Sequence, residues 1–266
     1  MNKKNIRIIL FYLLVIISFF LNPECQASDK ISEIKDRGYI IVGTTGDYKP
    51  MSFYNSKTQT YEGFDIELAK NLASSLGVIP KFMHTTWPTL IDDTLAKKFD
   101  IAISGISITK KRKKLALMSD SYLSNGKTIL CRVEDINKYT NLESINQPNV
   151  RILENPGGLN EEFARKNFPK ATILIHSVNE EIPGLIAIGK ADVMITDIPE
   201  ALFYSSTDKR LAAPLTNKPF TNGQIGILIP KDNRDLLKYV NKFLLNERKN
   251  GQLKDLTKRY IQNNKF

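Results

Sequence analysis

What most constrains this chain is an alternation of short β-branched segments with amphipathic helical ones, made twice over. In the first run Tyr39-Ile-Ile-Val-Gly-Thr44 is apolar and β-branched, as a buried strand requires. A loop, Asp47-Tyr48-Lys49-Pro50, follows it. Ile66, Ala69, Leu72, Ala73 and Leu76 then recur at helical spacing, with Asp65 placed to cap that helix and Gly77 placed to end it. Pro88 suits the first position of a further helix carrying Leu90, Ile91 and Leu95. A strand over 99–103, a loop over 105–109 and a short helix from Lys110 complete a βαβαβ pattern. Such a pattern predicts a parallel sheet with crossover helices.

The second run begins near Cys131. It predicts strands over 150–153, 171–176 and 192–196, and helices over 161–167 and around 178–188. Asn155-Pro-Gly-Gly-Leu-Asn160 reads as the turn before the first of those helices. A strand over 225–229 could join either unit. Two amphipathic helices, over 234–248 and 253–262 with Gly251 between them, close the chain.

With 266 residues the chain makes one large domain or two small ones. A composition 42% hydrophobic and 25% charged excludes wholesale disorder, collagen and coiled coil. Ahead of the fold, Lys3, Lys4 and Arg7 precede an uncharged apolar stretch over 8–21, and Cys25-Gln-Ala27 offers a cleavage site. We expect a signal peptide over 1–27 and export to the periplasm. The apolar stretch is shorter than the roughly 20 residues a spanning helix needs, so no membrane span is expected after processing. An uncleaved anchor or lipid attachment at Cys25 are the rival readings.

Cleavage leaves Cys131 as the sole thiol, without an internal disulfide and better read as a buried small hydrophobe than as a nucleophile. His84 and His176 lack metal spacing, so neither metal nor cofactor is expected. The net charge of +10 is spread through the chain. It fits a solvated surface that attracts small anions better than a nucleic-acid face.

Two α/β units imply two lobes, 28–127 with 220–266 and 128–219, joined by crossovers near 126–131 and 219–223. Ligands of such sheets bind beyond the carboxyl ends of the strands, here in a cleft that closes by hinge motion. The sequence holds no Ser/His/Asp set, P-loop or dinucleotide fingerprint.

Three segments sharpen this reading: Gly63-Phe64-Asp65-Ile66-Glu67-Leu68-Ala69, Phe99-Asp100-Ile101-Ala102 and Gly105-Ile-Ser-Ile-Thr-Lys-Lys-Arg112. They resemble the periplasmic amino-acid-binding protein family, the type II solute-binding proteins of ABC importers. Further segments resemble one branch of it, the periplasmic cyclohexadienyl dehydratases. These are Thr44-Thr-Gly-Asp-Tyr-Lys-Pro50, Thr86-Trp-Pro-Thr-Leu90, Asn125-Gly-Lys-Thr128, Gln147-Pro148, Asn155-Pro-Gly-Gly-Leu-Asn-Glu161 and Met194-Ile-Thr-Asp-Ile-Pro-Glu200. The resemblance runs from about Ile31 to Tyr260. It implies an exported dehydratase converting prephenate to phenylpyruvate, or arogenate to phenylalanine, with loss of water and CO₂. A carrier of an amino acid to an ABC permease is the alternative.

The resemblance also assigns roles. Arg112 is the family's carboxylate clamp, with Ser107 and Thr109 on the same loop as further donors. Glu200 matches the general acid of the dehydratase branch; read by itself it is an exposed glutamate in the first turn of a helix after Pro199. Lys127 is the second cationic anchor, or a solvated hinge lysine. Trp87 and Tyr48 follow strands and offer either a stacking wall for a six-membered ring or core filling. Asn160, after Gly157-Gly158 at a helix start, suits an anion. Asp197 takes the ligand ammonium in amino-acid-binding relatives; it could instead orient a lysine or cap the next helix. The chain departs from the branch at Gln224-Ile225, where the enzymes tend to carry Glu-Lys.

Overall fold

The computed structural model describes residues 29–262. The expected leader over 1–27 lies outside the described residues. Among those described, no helix is long and apolar enough to cross a membrane.

Two five-stranded sheets organise the molecule. The first runs Ile79–His84, Tyr39–Thr44, Ile101–Ala102, Leu228–Ile229, Leu117–Met118. The second runs Thr172–Ile175, Arg151–Glu154, Val193–Asp197, Lys127–Arg132, Leu211–Ala212. Three strands of each are parallel, as the βαβαβ pattern requires. The other two in each are antiparallel additions. Thus the sheets are mixed, not wholly parallel, because each receives strands from chain that crosses between the lobes. After Leu117–Met118 the chain passes through Leu123–Asn125 into the second sheet at Lys127. It returns through Gly223–Ile225, which pairs antiparallel with Leu123–Asn125. The expected single strand over 225–229 is therefore two strands. One belongs to the connection and the other to the first sheet.

Each sheet is covered on both faces. Helices Phe64–Leu76 and Arg234–Lys249 bury Phe64, Leu68, Leu72, Leu236, Val240 and Phe243 with Ile40, Val42 and Ile101 in the first core. Leu90, Phe99, Met118 and Leu228 fill the opposite face. In the second lobe Ile129, Ile152, Phe168, Val193 and Ile195 form one layer, and Ile182, Ile186, Leu130 and Met194 the other. Local signals held at several ends: Gly77 closes its helix in the left-handed region (φ 76°).

Three local expectations change. Asp65 does not cap; Gly63 is the N-cap, and Asp65 is buried within the first turn, accepting from the Gly105 amide and from Tyr122 Oη at 2.7 Å. Burial raises its carboxyl to about 7. Pro88 lies in a turn, and its helix, Leu90–Leu95, starts after Thr89. The loop at Asp47 is in fact ordered as a three-stranded antiparallel patch, Asp47–Tyr48, Ser52–Asn55 and Thr60–Glu62.

Two predictions concern the second lobe. Asp192, at the end of its sheet away from the cleft, accepts from Arg151 through the backbone amide, Nε and Nη2 at 2.8–3.0 Å. Burial alone would raise its carboxyl; the Arg151 and Arg132 guanidinium groups win and lower it to about 2. Its stabilisation is therefore present above pH ~4 and lost as pH falls toward ~2. Asp192→Asn should cost about 1–2 kcal/mol at pH 7, allowing for the solvent reaching Arg151. Thermal melts should show that gap closing near pH 2. Cys131 is fully buried, and burial pushes its thiol up to about 12. Native protein should resist thiol-specific reagents on a timescale over which the unfolded chain reacts completely.

Candidate functional site

The carboxyl ends of both sheets face one cleft of about 340 Å³ including its mouth. Its lining includes Tyr48, Trp87, Gly105, Ser107, Arg112, Lys127, Asn155, Asn160, Asn179 and Asp197. The fold thus brings together most residues expected from the sequence. Thr109 and Glu200 are not in that lining.

Arg112 stands in the third position of helix Lys110–Leu115, whose N-cap is Thr109. The Thr109 hydroxyl accepts the Arg112 amide at 3.1 Å and so caps the helix, and Thr109 lines an adjoining opening with Ser107, Lys127 and Asp197. The Arg112 guanidinium is 8% exposed and makes one hydrogen bond, Nη1 to the Ser107 carbonyl at 2.8 Å. No carboxylate among the described residues pairs with it. Burial lowers it to about 10, with Asp197 and Glu162 acting against that, so it keeps its charge near neutral pH. A buried, unpaired fork of N–H donors is matched to a ligand carboxylate.

Lys127 and Asp197 face each other across antiparallel strands of the second sheet. Lys127 Nζ lies 2.9 Å from Asp197 Oδ1 and donates also to Asn160 Oδ1. The Asp197 approach lacks hydrogen-bond geometry, so the ammonium keeps N–H groups without a partner among the described residues. Helix Leu159–Asn167 starts earlier than expected, with Gly158 as N-cap, so Asn160 lies inside the first turn and meets Lys127 by its side chain. Asp197 Oδ2 accepts from Tyr48 Oη of the other lobe at 3.0 Å. One carboxylate oxygen thus accepts a hydrogen bond, while Oδ1 is buried beside the Lys127 charge without a hydrogen-bond partner among the described residues.

Trp87 stands edge-on to Tyr48 with ring centroids 5.6 Å apart, and its Nε1 donates to Asp47 Oδ1 at 3.2 Å. The two rings form one wall of the cleft. Gly105 permits this: it lies at φ 64°, and a Cβ there would sit 2.5 Å from the Tyr48 ring.

Glu200 is fully buried in the first turn of helix Ile198–Thr207, just behind the cleft. The solvent-exposed reading of Glu200 fails because the first turn of its helix faces the protein interior, where Thr196, Asn179, Asp197 and Asp47 surround the carboxyl. Thr196 Oγ1 donates to Glu200 Oε2, and Asn179 Nδ2 to Oε1 at 3.2 Å. Burial raises the carboxyl to about 8; Asp197 and Asp47 push the same way, while Thr196 and Asn179 pull it down. It is a protonated acid near neutrality, one side chain removed from the cleft. Gln224 is exposed on the connecting strand Gly223–Ile225 and outside the lining, whereas Ile225 is buried in the first core and pairs with Ser107 of the lining.

Sequence reasoning missed Asn155, Asn179 and Glu154. Asn155 lay in a quoted motif without a role. Glu154, fully buried behind Lys127, accepts the Ile195 amide at 2.7 Å. Asn179 had no local signal at all.

Comparison with known proteins agrees with this geometry. Residues 40–263 match the model for bacterial extracellular solute-binding proteins, family 3. The chain is 37% identical to cyclohexadienyl dehydratase of Pseudomonas aeruginosa over 94% of its own length and 92% of the relative's. A solved ancestral amino-acid-binding protein, described as a precursor of cyclohexadienyl dehydratase, superposes with a TM-score of 0.81 at 36% identity, covering 88% of this chain and 100% of that one. A solved ancestral cyclohexadienyl dehydratase is 47% identical with a TM-score of 0.56, covering 88% and 97%.

Proposed function

The chain belongs to family 3 of the bacterial extracellular solute-binding proteins, and from that premise we propose that it is a cyclohexadienyl dehydratase working in the periplasm. Its substrate is a small anion, prephenate or arogenate. The reaction breaks the ring C–O bond, whose electron pair leaves with the hydroxyl and takes a proton to become water. The C–C bond to the ring carboxylate then gives its pair to the ring as CO₂ departs. Glu200 is the proton donor, since hydroxide is a poor leaving group and a buried carboxyl near pH 8 is still protonated at neutrality. Arg112 clamps a carboxylate, and Lys127 offers its free N–H to the substrate. Tyr48 and Trp87 face the ring. Thr196 and Asn179 hold the acid.

One observation favours the enzyme over a carrier of amino acids. Asp197, which would take a ligand ammonium, already carries the Lys127 ammonium on one oxygen and Tyr48 on the other. A zwitterion, arogenate included, would have to displace Tyr48 from one oxygen and compete with the Lys127 charge beside the other, so the same observation favours prephenate over arogenate. The decisive assay is phenylpyruvate formation from prephenate by purified protein, beside calorimetry with the common amino acids. Turnover without tight amino-acid binding supports this reading. Tight binding of an amino acid without turnover replaces it with transport.

A further inference from the structure

Asn179 stands where the two lobes meet. It opens the turn Asn179–Glu181 and is 2% exposed. Its Nδ2 carries two hydrogens and uses both. One reaches the backbone carbonyl of Asp47 in the first lobe at 2.9 Å, and the other reaches Glu200 Oε1 in its own lobe at 3.2 Å. The opposite amide orientation would set Oδ1 against the Asp47 carbonyl, an obligate acceptor, so chemistry fixes this one. Oδ1 itself is buried without a partner, although Asn179 lines the cleft.

The contact is the centre of a row. Asp47, Tyr48 and Lys49 of the first lobe each meet the second: Asp47 meets Asn179, Tyr48 meets Asp197, and Lys49 approaches Glu180 at 3.9 Å. Such contacts exist only with the lobes together. Building on the dehydratase reading, we propose that Asn179 is a positioning residue that couples lobe closure to the alignment of the Glu200 acid. One hydrogen bond leaves an amide free to turn about its side-chain bonds. Two bonds to acceptors in different lobes fix its plane, and with it the carboxyl it holds. When the lobes separate, the Asp47 carbonyl is withdrawn. Water then reaches the amide and the acid, so the donor is aligned and dry only around a captured substrate.

The groups facing Glu200 set the sign of the test. They are Asp47 and Tyr48 from the first lobe, Asp197 and Glu154 from the second sheet, and Tyr204 on its own helix, with Glu180 beyond Asp47. Every one is acidic or phenolic, so the Asn179 amide and the Thr196 hydroxyl are the groups that favour the ionised form. Removing the amide takes away a donor that favours the ionised form, which moves the titration of Glu200 upward while the lobes stay closed and the acid dry.

The experiment compares wild type, Asn179→Ala and the nearly isosteric Asn179→Asp. It reads kcat and KM for prephenate across pH, and the emission of Trp87, the chain's one tryptophan, as prephenate is added. Both variants should lose kcat by on the order of 10²-fold with a smaller change in KM. Their alkaline limb should move to higher pH, further in Asn179→Asp, which adds a charge. The Trp87 response should need more substrate, because closure has lost a contact. Wild-type kcat and an unmoved limb in both variants overturn the proposal. So does a loss of kcat with the limb and the Trp87 response unchanged, which marks a merely structural role. A wild type that turns over neither prephenate nor arogenate overturns the dehydratase reading and this proposal with it.

Discussion

Glu200→Gln protein should bind prephenate nearly as wild type does and turn it over about 10²–10⁴-fold more slowly. The substitution keeps size and hydrogen-bonding capacity, so Thr196 and Asn179 keep a partner. What it removes is the proton. Uniform binding does not depend on that proton, so the loss should fall on kcat. Wild-type kcat should hold below the acid's titration and decline as pH rises through about 8, where the carboxyl ionises and can no longer donate. The remaining slow rate in the variant should lack that limb. Stability gives an independent control. A carboxyl raised in the folded state stabilises fully only below its unfolded value, near 4.5, and that contribution is lost as pH rises through about 8. Glu200→Gln should therefore melt no lower than wild type at pH 8 and above. Equal turnover by the variant would leave the fold and the reaction in place and assign the proton to another group.

Arg112→Ala should weaken substrate binding by roughly 10–10²-fold, the equivalent of ~1.5–3 kcal/mol for charge-assisted hydrogen bonds. The reason is specific to this cleft. Lys127 is already shared with Asp197 and Asn160, whereas the Arg112 guanidinium has no carboxylate partner among the described residues. Deleting it leaves Asp197 and Glu162 nearby with less cation to balance them and an anion to admit. Arg112→Lys should recover part of the affinity, since it restores charge but not the planar fork. Calorimetry with prephenate on the Glu200→Gln background measures this without turnover. Unchanged affinity in Arg112→Ala would remove it from the site.

Much of this protein is local and was legible in the sequence. Helical spacing at Ile66, Ala69, Leu72, Ala73 and Leu76, the stop at Gly77 and the helix from Lys110 depend on interactions across a few residues. The same holds for the central apolar strands Tyr39–Thr44 and Val193–Asp197, which are mostly buried, while the edge strands Ile79–His84 and Thr172–Ile175 stay largely exposed. The clustering of Tyr48, Trp87, Ser107, Arg112, Lys127, Asn160 and Asp197 followed from their shared place beyond strand ends.

Tertiary structure decided what those groups do. Asp65 looked like a cap because capping is a short-range rule; the fold instead gives it Gly105 and Tyr122, distant in sequence. Glu200 looked exposed until the tertiary fold closed around it, with Thr196 and Asn179 on its oxygens and Asp47 of the first lobe nearby. Whether Asp197 is free for an ammonium depends on Tyr48, 149 residues away, and on Lys127 in the neighbouring strand. Asn179 acquires meaning only when Asp47, 132 residues earlier, comes within 2.9 Å. Periodicity and caps are written within one turn of chain. Charge pairing, burial and the alignment of an acid depend on which surfaces meet when two lobes close, and no stretch of sequence contains both surfaces.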